Sequence, residues 1–174
     1  MVDWTPGNKV IRFRGLAEFW SRQTGCPAAL ILATIQQESG GAPEVTRYEP
    51  EYERSYCGKG SKGAQIAAKC GITTKQVATS YGLMQLMLPL AWGYLSDADK
   101  GPGVIAALLD PDKNIRYGAA HLGALLKKHR RGAVIDAAVI RAVAGAYNGA
   151  KSESAYARNV CALWRKYETW LQEV

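Results

Sequence analysis

One carboxylate in this chain stands where it could move a proton. Residues 27 to 41, Pro-Ala-Ala-Leu-Ile-Leu-Ala-Thr-Ile-Gln-Gln-Glu-Ser-Gly-Gly, form an apolar helical run that carries Glu38 at its end. Pro27 suits the first helical position, Gly40 and Gly41 suit the stop, and Ile31, Ile35 and Glu38 fall at i, i+4 and i+7 on one inward face. A carboxylate that extends an apolar stripe is partly desolvated, and at a helix C-terminus it meets the negative end of the dipole. Both effects disfavour its charge and raise its pKa above the usual value of about 4.3. A glutamate still protonated near neutral pH is a general acid. The alternative from the same residues is a last-turn glutamate turned out to water. Two more polar clusters interrupt apolar helical ends, Tyr81 with Gln85 and Tyr147 with Asn148. Taken singly, the first is a helix-start cap and the second a C-cap with a packed ring.

The segments that must hold these groups are helical. Ile11 to Gln23 carries Leu16, Phe19 and Trp20 at helical spacing, and Thr24-Gly25-Cys26-Pro27 breaks the chain before the central run. Thr74 can cap a helical turn through Thr79, and a second apolar segment runs from Pro89 to Leu95. Asp110-Pro111 is a cap followed by a first-position proline, after which Ile115, Ala119, Leu122 and Leu126 share one face as far as His129. Val139, Val143 and Tyr147 line a further helix, and Tyr156, Val160, Leu163, Tyr167 and Leu171 line the last. Residues 42 to 73, punctuated by Pro43, Pro50, Gly58, Gly60, Gly63 and Gly71, show no long period. They are expected to form an extended surface excursion with one short helix near Ala64 to Lys69 and room for a small β element. No run shows the alternation of several strands, so the fold class is mainly α.

A length of 174 residues, with 48% hydrophobic content, suits one compact domain over residues 1–174 and excludes gross disorder. Lys and Arg number 22 against 15 Asp and Glu, a net charge of +7 that favours an anionic partner: nucleic acid, a membrane surface or a bacterial wall. The densest basic run, Lys127-Lys128-His129-Arg130-Arg131, lies at a helix end, where cations complement the dipole. Met1 to Arg14 is interrupted by Asp3, Pro6, Lys9, Arg12 and Arg14 and resembles neither a signal peptide nor a membrane span. Cys26, Cys57, Cys70 and Cys161 contain no CxxC pair, and with two histidines no metal is expected. Cys57 and Cys70 bracket a Gly- and Lys-rich segment and are candidates either for a disulfide or for free thiols.

Four motifs in order change the weight of the single clusters. Gln-Gln-Glu-Ser-Gly-Gly (36 to 41), Gly-Leu-Met-Gln-Leu-Met (82 to 87), Asp-Pro-Asp-Lys-Asn-Ile-Arg-Tyr-Gly-Ala-Ala-His-Leu (110 to 122) and Gly-Ala-Tyr-Asn-Gly (145 to 149) together resemble the soluble lytic transglycosylase family of the goose-type lysozyme superfamily. The likeness runs from about Ala17 to Val160. Arg47-Tyr48-Glu49-Pro50 ahead of the second motif is similar to a subset from phages and bacteria with a longer intervening segment. Two departures stand out: Met87-Leu88-Pro89-Leu90-Ala91 replaces Met-Pro-x-Thr-Ala, and Tyr147-Asn148-Gly149-Ala150 replaces Tyr-Asn-Ala-Gly.

The resemblance implies a lysozyme-like fold and cleavage of the β-1,4 bond between N-acetylmuramic acid and N-acetylglucosamine in peptidoglycan, without a cofactor. It implies that Glu38 acts first as acid, then as base, leaving a 1,6-anhydro end. By the same carry-over Ser39, Glu49, Tyr81, Gly82, Met84, Gln85, Tyr147 and Asn148 bind the glycan or hold groups near Glu38. The expected partner is the glycan strand, with no nucleic acid and no transmembrane segment, and the protein is expected to be a monomer. It would act at the bacterial wall, periplasmic or extracellular, after phage-type release or removal of a signal. Two rivals differ in class. A hydrolytic goose-type muramidase or chitinase needs a second carboxylate at about 5 to 9.5 Å, for which Glu49, Glu51 and Glu53 are available. A non-catalytic wall-binding or nucleic-acid-binding module needs Glu38 to be a bystander.

Overall fold

The computed structural model describes residue 4, residues 6–130, residue 132 and residues 134–173. Arg131 of the basic run, and Asp3 with the first residues of the lead, lie outside them. In chain order the helices are α1 (Asn8–Ile11), α2 (Arg14–Thr24), α3 (Ala28–Ser39), α4 (Pro50–Tyr56), α5 (Lys62–Cys70), α6 (Thr74–Val77), α7 (Leu88–Ala91), α8 (Val104–Leu109), α9 (Pro111–His129), α10 (Ala137–Tyr147) and α11 (Ala155–Glu173). The strands are β1 (Thr46–Tyr48), β2 (Thr79–Tyr81) and β3 (Leu86–Met87). The chain is therefore mainly α with one small sheet, consistent with a lysozyme-like fold. No described helix is long and apolar enough to cross a membrane.

The chain divides into two compact units, Met1–Gly41 with Ala119–Val174, and Ala42–Gly118. In the first, α3 is the centre and packs on α1, α2 and α11, while α10 packs on α11. From Ala29 to Ile35 every residue of α3 is buried, as an all-round apolar helix must be. Its one buried hydroxyl, Thr34, donates back to the Leu30 carbonyl at 2.9 Å. Pro27 is the N-cap, one position before the first-helical place expected of it. The exit is built on glycine. Gly40 is left-handed at φ 59°, and Gly41, at φ 85°, lies so close to α1 that a Cβ would stand 2.4 Å from the Lys9 carbonyl oxygen. Arg12 also donates to the Gly41 carbonyl at 2.9 Å, so α1 fixes where α3 ends.

Two inner stripes differ from expectation. α2 starts at Arg14, and the buried positions around it are Phe13 and Ala17, while Phe19 is exposed and meets Trp20 edge-on at 4.9 Å. Leu16, Phe19 and Trp20 satisfy helical spacing, but the face of α2 that is buried is the one carrying Ala17, and α2 packs on α3. In α11 the buried line is Ala157, Val160, Cys161, Trp164 and Tyr167, rotated from the one drawn through Leu163 and Leu171.

In the second unit the sheet has the order β1-β2-β3, antiparallel throughout, with Thr46 opposite Tyr81, Tyr48 opposite Thr79, and Tyr81 also opposite Leu86. Residues 42 to 73 are not an extended excursion. They hold the expected short helix as α5 and part of the small β element as β1, together with α4, and the partner of β1 is β2, from residues 79 to 81. Their signals are short-range: Pro50 opens α4 with Glu51 and Glu53 in its first turn, and the Ser61 side chain accepts from the Ala64 N–H to start α5. Thr73 rather than Thr74 caps α6, in a capping box with Gln76, and Thr79 belongs to β2 instead of prolonging that helix. All four cysteines are free and buried, so Cys57 and Cys70 are not bridged.

Beyond β3, a buried carboxylate ties the unit together. Asp99 is bonded by Lys113 at 2.6 Å, by the Ser96 hydroxyl at 2.6 Å and by the Tyr117 hydroxyl. These donors hold its pKa down to about 2, the Lys113 bond contributing most. Because the folded-state value lies below the unfolded one, this contribution is complete above about pH 4 and is lost as pH falls toward 2. Asp99→Asn is therefore expected to lower stability at pH 7 by on the order of 2 kcal/mol. The deficit should narrow in urea titrations repeated between pH 4 and pH 2.5, and a deficit that stays constant over that range would contradict the account.

Candidate active site

Glu38 occupies the last turn of α3, where the helix passes from fully buried to half-buried. Its Oε1 accepts a hydrogen bond from the Tyr156 hydroxyl at 2.5 Å. Tyr156 stands in the first turn of α11, and a tight turn from α10 sets its position. Gly145 of α10 lies against the Lys151–Ser152 backbone, where a Cβ would come within 2.8 Å of the Lys151 carbonyl. The Ala150 N–H closes the turn on the Gly145 carbonyl at 2.7 Å, and the Ser154 hydroxyl then caps α11 at the Ala157 N–H.

Tyr147, the last residue of α10, is also buried. Its hydroxyl pKa is raised well above the ordinary phenol range, first by burial, then by the negative charge of Glu38 and by Cys26. A phenol so placed stays protonated and offers its hydrogen. The Tyr147 ring lies 5.3 Å from that of His121, whose imidazole burial depresses to about pKa 4. The histidine is therefore neutral at pH 7. Ser39 turns back on its own helix, donating to the Ile35 carbonyl and accepting from the Gly41 N–H. Asn148 is exposed at the end of α10.

The other carboxylates described in this unit have their own settings. Glu18 pairs with Arg14, Asp136 caps α10 through the Val139 N–H, Glu153 accepts from Ser152, and Glu168 and Glu173 are exposed. What this unit assembles is one carboxyl group with a phenol on its oxygen and a second phenol within its field, whose pKa burial raises. Such a group can give and take one proton. Among the described residues no cluster of three or more His, Cys, Asp or Glu is placed to hold a metal.

In the second unit the remaining candidates gather at the sheet. Glu49 is half-buried at the start of α4, its carboxylate 2.5 Å from Arg47 Nε. Tyr81 is buried in β2, and its hydroxyl donates to the Gln76 carbonyl at 2.8 Å. Gly82 and Gln85 flank the β2–β3 turn, and Met84 inside it is wholly buried, its sulfur packed against Gly118. Gln85 is half-buried.

Sequence reasoning missed the contact of Tyr156 with Glu38. It was legible only as an apolar-stripe residue of the last helix, and a tyrosine on such a stripe is ordinarily core. The available signal was its place just after the Ser152–Ser154 cap, within the first turn of a helix that packs on α3. His121 was likewise visible only inside a longer motif.

The family model described as the transglycosylase SLT domain matches residues 15–160. No curated protein matches the chain.

Removing the Tyr156 hydroxyl should disturb Glu38 more than the fold. Tyr156→Phe keeps the ring and deletes a bond to a charged group, a class worth about 1.5–3 kcal/mol. If that bond holds the carboxyl in its working orientation, turnover falls by about ten- to a hundredfold, with circular dichroism melting little changed. Parental turnover in the folded variant would remove Tyr156 from the site.

Proposed function

The chain belongs to the transglycosylase SLT family, and from that premise we propose that it cleaves the MurNAc–GlcNAc β-1,4 bonds of peptidoglycan with Glu38 as both acid and base. The membership brings lytic transglycosylase activity on the cell wall in general. The finer reading is supported above all by the Glu38 carboxyl, held at Oε1 by Tyr156 on a half-buried helix end.

In the first step protonated Glu38 gives its proton to the glycosidic oxygen, and the bond from that oxygen to the muramoyl C1 breaks. In the second the Glu38 carboxylate removes the proton of the muramoyl 6-hydroxyl, whose oxygen closes on C1. One residue thus serves both steps, and water is not consumed. The substrate's own N-acetyl oxygen can steady the electron-poor C1 between them, so no protein nucleophile is required. Tyr147, kept protonated by burial, donates a hydrogen bond near Glu38. Ser39, Glu49, Gln85 and Asn148 contact the sugars. Tyr81, Gly82 and Met84, buried as they are, hold the turn that carries Gln85. In the same reading the protein works at the wall as a monomer, in the periplasm or outside the cell, and residues 1–174 act as one catalytic domain.

Two measurements test this. Glu38→Gln preserves shape but can neither donate to the leaving oxygen nor recover a proton from the 6-hydroxyl. Clearing of purified peptidoglycan should fall by at least about 10²- to 10⁴-fold while the variant still sediments with it. A folded variant within about tenfold of the parent would refute the assignment. Mass spectrometry of the parental digest should show 1,6-anhydro ends, one water lighter than hydrolytic products. Hydrated ends throughout would make the protein a muramidase, and a parent that binds walls without releasing fragments would make it a binding module.

Tyr147→Phe separates the hydroxyl from the ring. It should lower turnover about three- to tenfold, the worth of one neutral hydrogen bond of about 0.5–1.5 kcal/mol, and leave the melting temperature close to the parental one. A large fall in melting temperature with turnover unchanged would mark Tyr147 as core alone.

A further inference from the structure

The turn between β2 and β3 is held by a side chain with no role so far. Gln85 is the one non-glycine residue with positive φ among the described residues, at 47°, and Gly82 before it stands at 74°. A chain that enters and leaves a turn through two left-handed residues needs fixed partners. Asn114, in the first turn of α9, is wholly buried and supplies them. Its Nδ2 donates to the Tyr81 carbonyl at 2.9 Å and to the Leu108 carbonyl at 2.6 Å, and its Oδ1 accepts from the Met84 N–H at 2.8 Å. Both amide hydrogens are used, and aspartate could not replace the group without setting a carboxylate oxygen against two carbonyls. Gly82 completes the fit, since a Cβ there would lie 2.6 Å from both Asn114 Nδ2 and the Leu108 oxygen.

The consequence reaches Gln85. Its Nε2 donates to the Val45 and Gly82 carbonyls, each at 2.9 Å. An amide oxygen could not sit opposite two carbonyl oxygens, so the amide has one orientation, with Oε1 left as an acceptor for a donor from outside the protein. We propose that Asn114 is a positioning residue for glycan binding: by locking the backbone from Tyr81 to Met84 it sets Gln85 to accept from an acetamido N–H or a hydroxyl of the sugar. This rests on the reading of Gln85 as a glycan contact.

The test is a double-mutant cycle on chitotetraose affinity, measured by titration calorimetry. Asn114→Ser should weaken binding about three- to tenfold, as should Gln85→Ala. The double variant should bind no more weakly than Gln85→Ala alone, because Asn114 acts through Gln85. Losses that multiply, or an Asn114→Ser protein with parental affinity, overturn the proposal. If Asn114→Ser fails to fold, the parental protein decides by nuclear magnetic resonance. The Asn114 side-chain amide protons should exchange slowly, and chitotetraose should shift the Gln85 side-chain amide without exposing Asn114. A Gln85 amide unmoved at saturation overturns it. A parent that neither binds chitotetraose nor cleaves peptidoglycan defeats the underlying reading of Gln85 as well, whereas binding with multiplying losses defeats the part of Asn114 alone.

Discussion

A helix that is apolar on every side can end in a working carboxyl only where its last turn leaves the core. In α3 that condition is met within three residues, from Ile35, wholly buried, to Glu38, half-buried. The exit has to be abrupt, and Gly41 makes it so by letting the chain turn directly beneath the Lys9 backbone, closer than any side chain allows. Much of the first unit serves this junction. α1 clamps it, α11 packs along the same helix and delivers Tyr156, and the Gly145 contact sets the start of α11.

The two phenols near Glu38 are complementary in physical terms. Tyr156 bonds directly to the carboxyl oxygen and fixes its orientation. Tyr147 is buried, so its hydroxyl keeps its proton in the presence of that charge. His121, whose ring meets that of Tyr147, is held neutral at pH 7 by burial.

The sequence disclosed what depends on period and on ordered motifs. Ile31, Ile35 and the glycine stop of α3 were legible, as were the Asp110 cap and the buried face Ile115, Ala119, Leu122 and Leu126 of α9. It was least informative between residues 42 and 73. A strand of three exposed residues such as β1 has no alternation to detect and α4 is too short to show a period, whereas α5 was legible near Ala64 to Lys69. Helical spacing also could not choose between neighbouring faces of α2, where Ala17 is buried and Phe19 exposed. Partners far apart in the chain, such as Glu38 with Tyr156 and Asn114 with Tyr81, have no local signature at all.

The unbridged thiols give the molecule a built-in clock. Cys26 and Cys161 are buried in the first unit, Cys57 and Cys70 in the second. Burial raises the pKa of Cys26 far above the ordinary thiol value and also raises those of Cys57 and Cys70, so little thiolate is available while the fold is closed. A brief pulse of alkylating reagent therefore marks each cysteine chiefly when its surroundings open. Peptide mapping of the marked chain would record opening of the two units separately, each through cysteines native to it, without an introduced label.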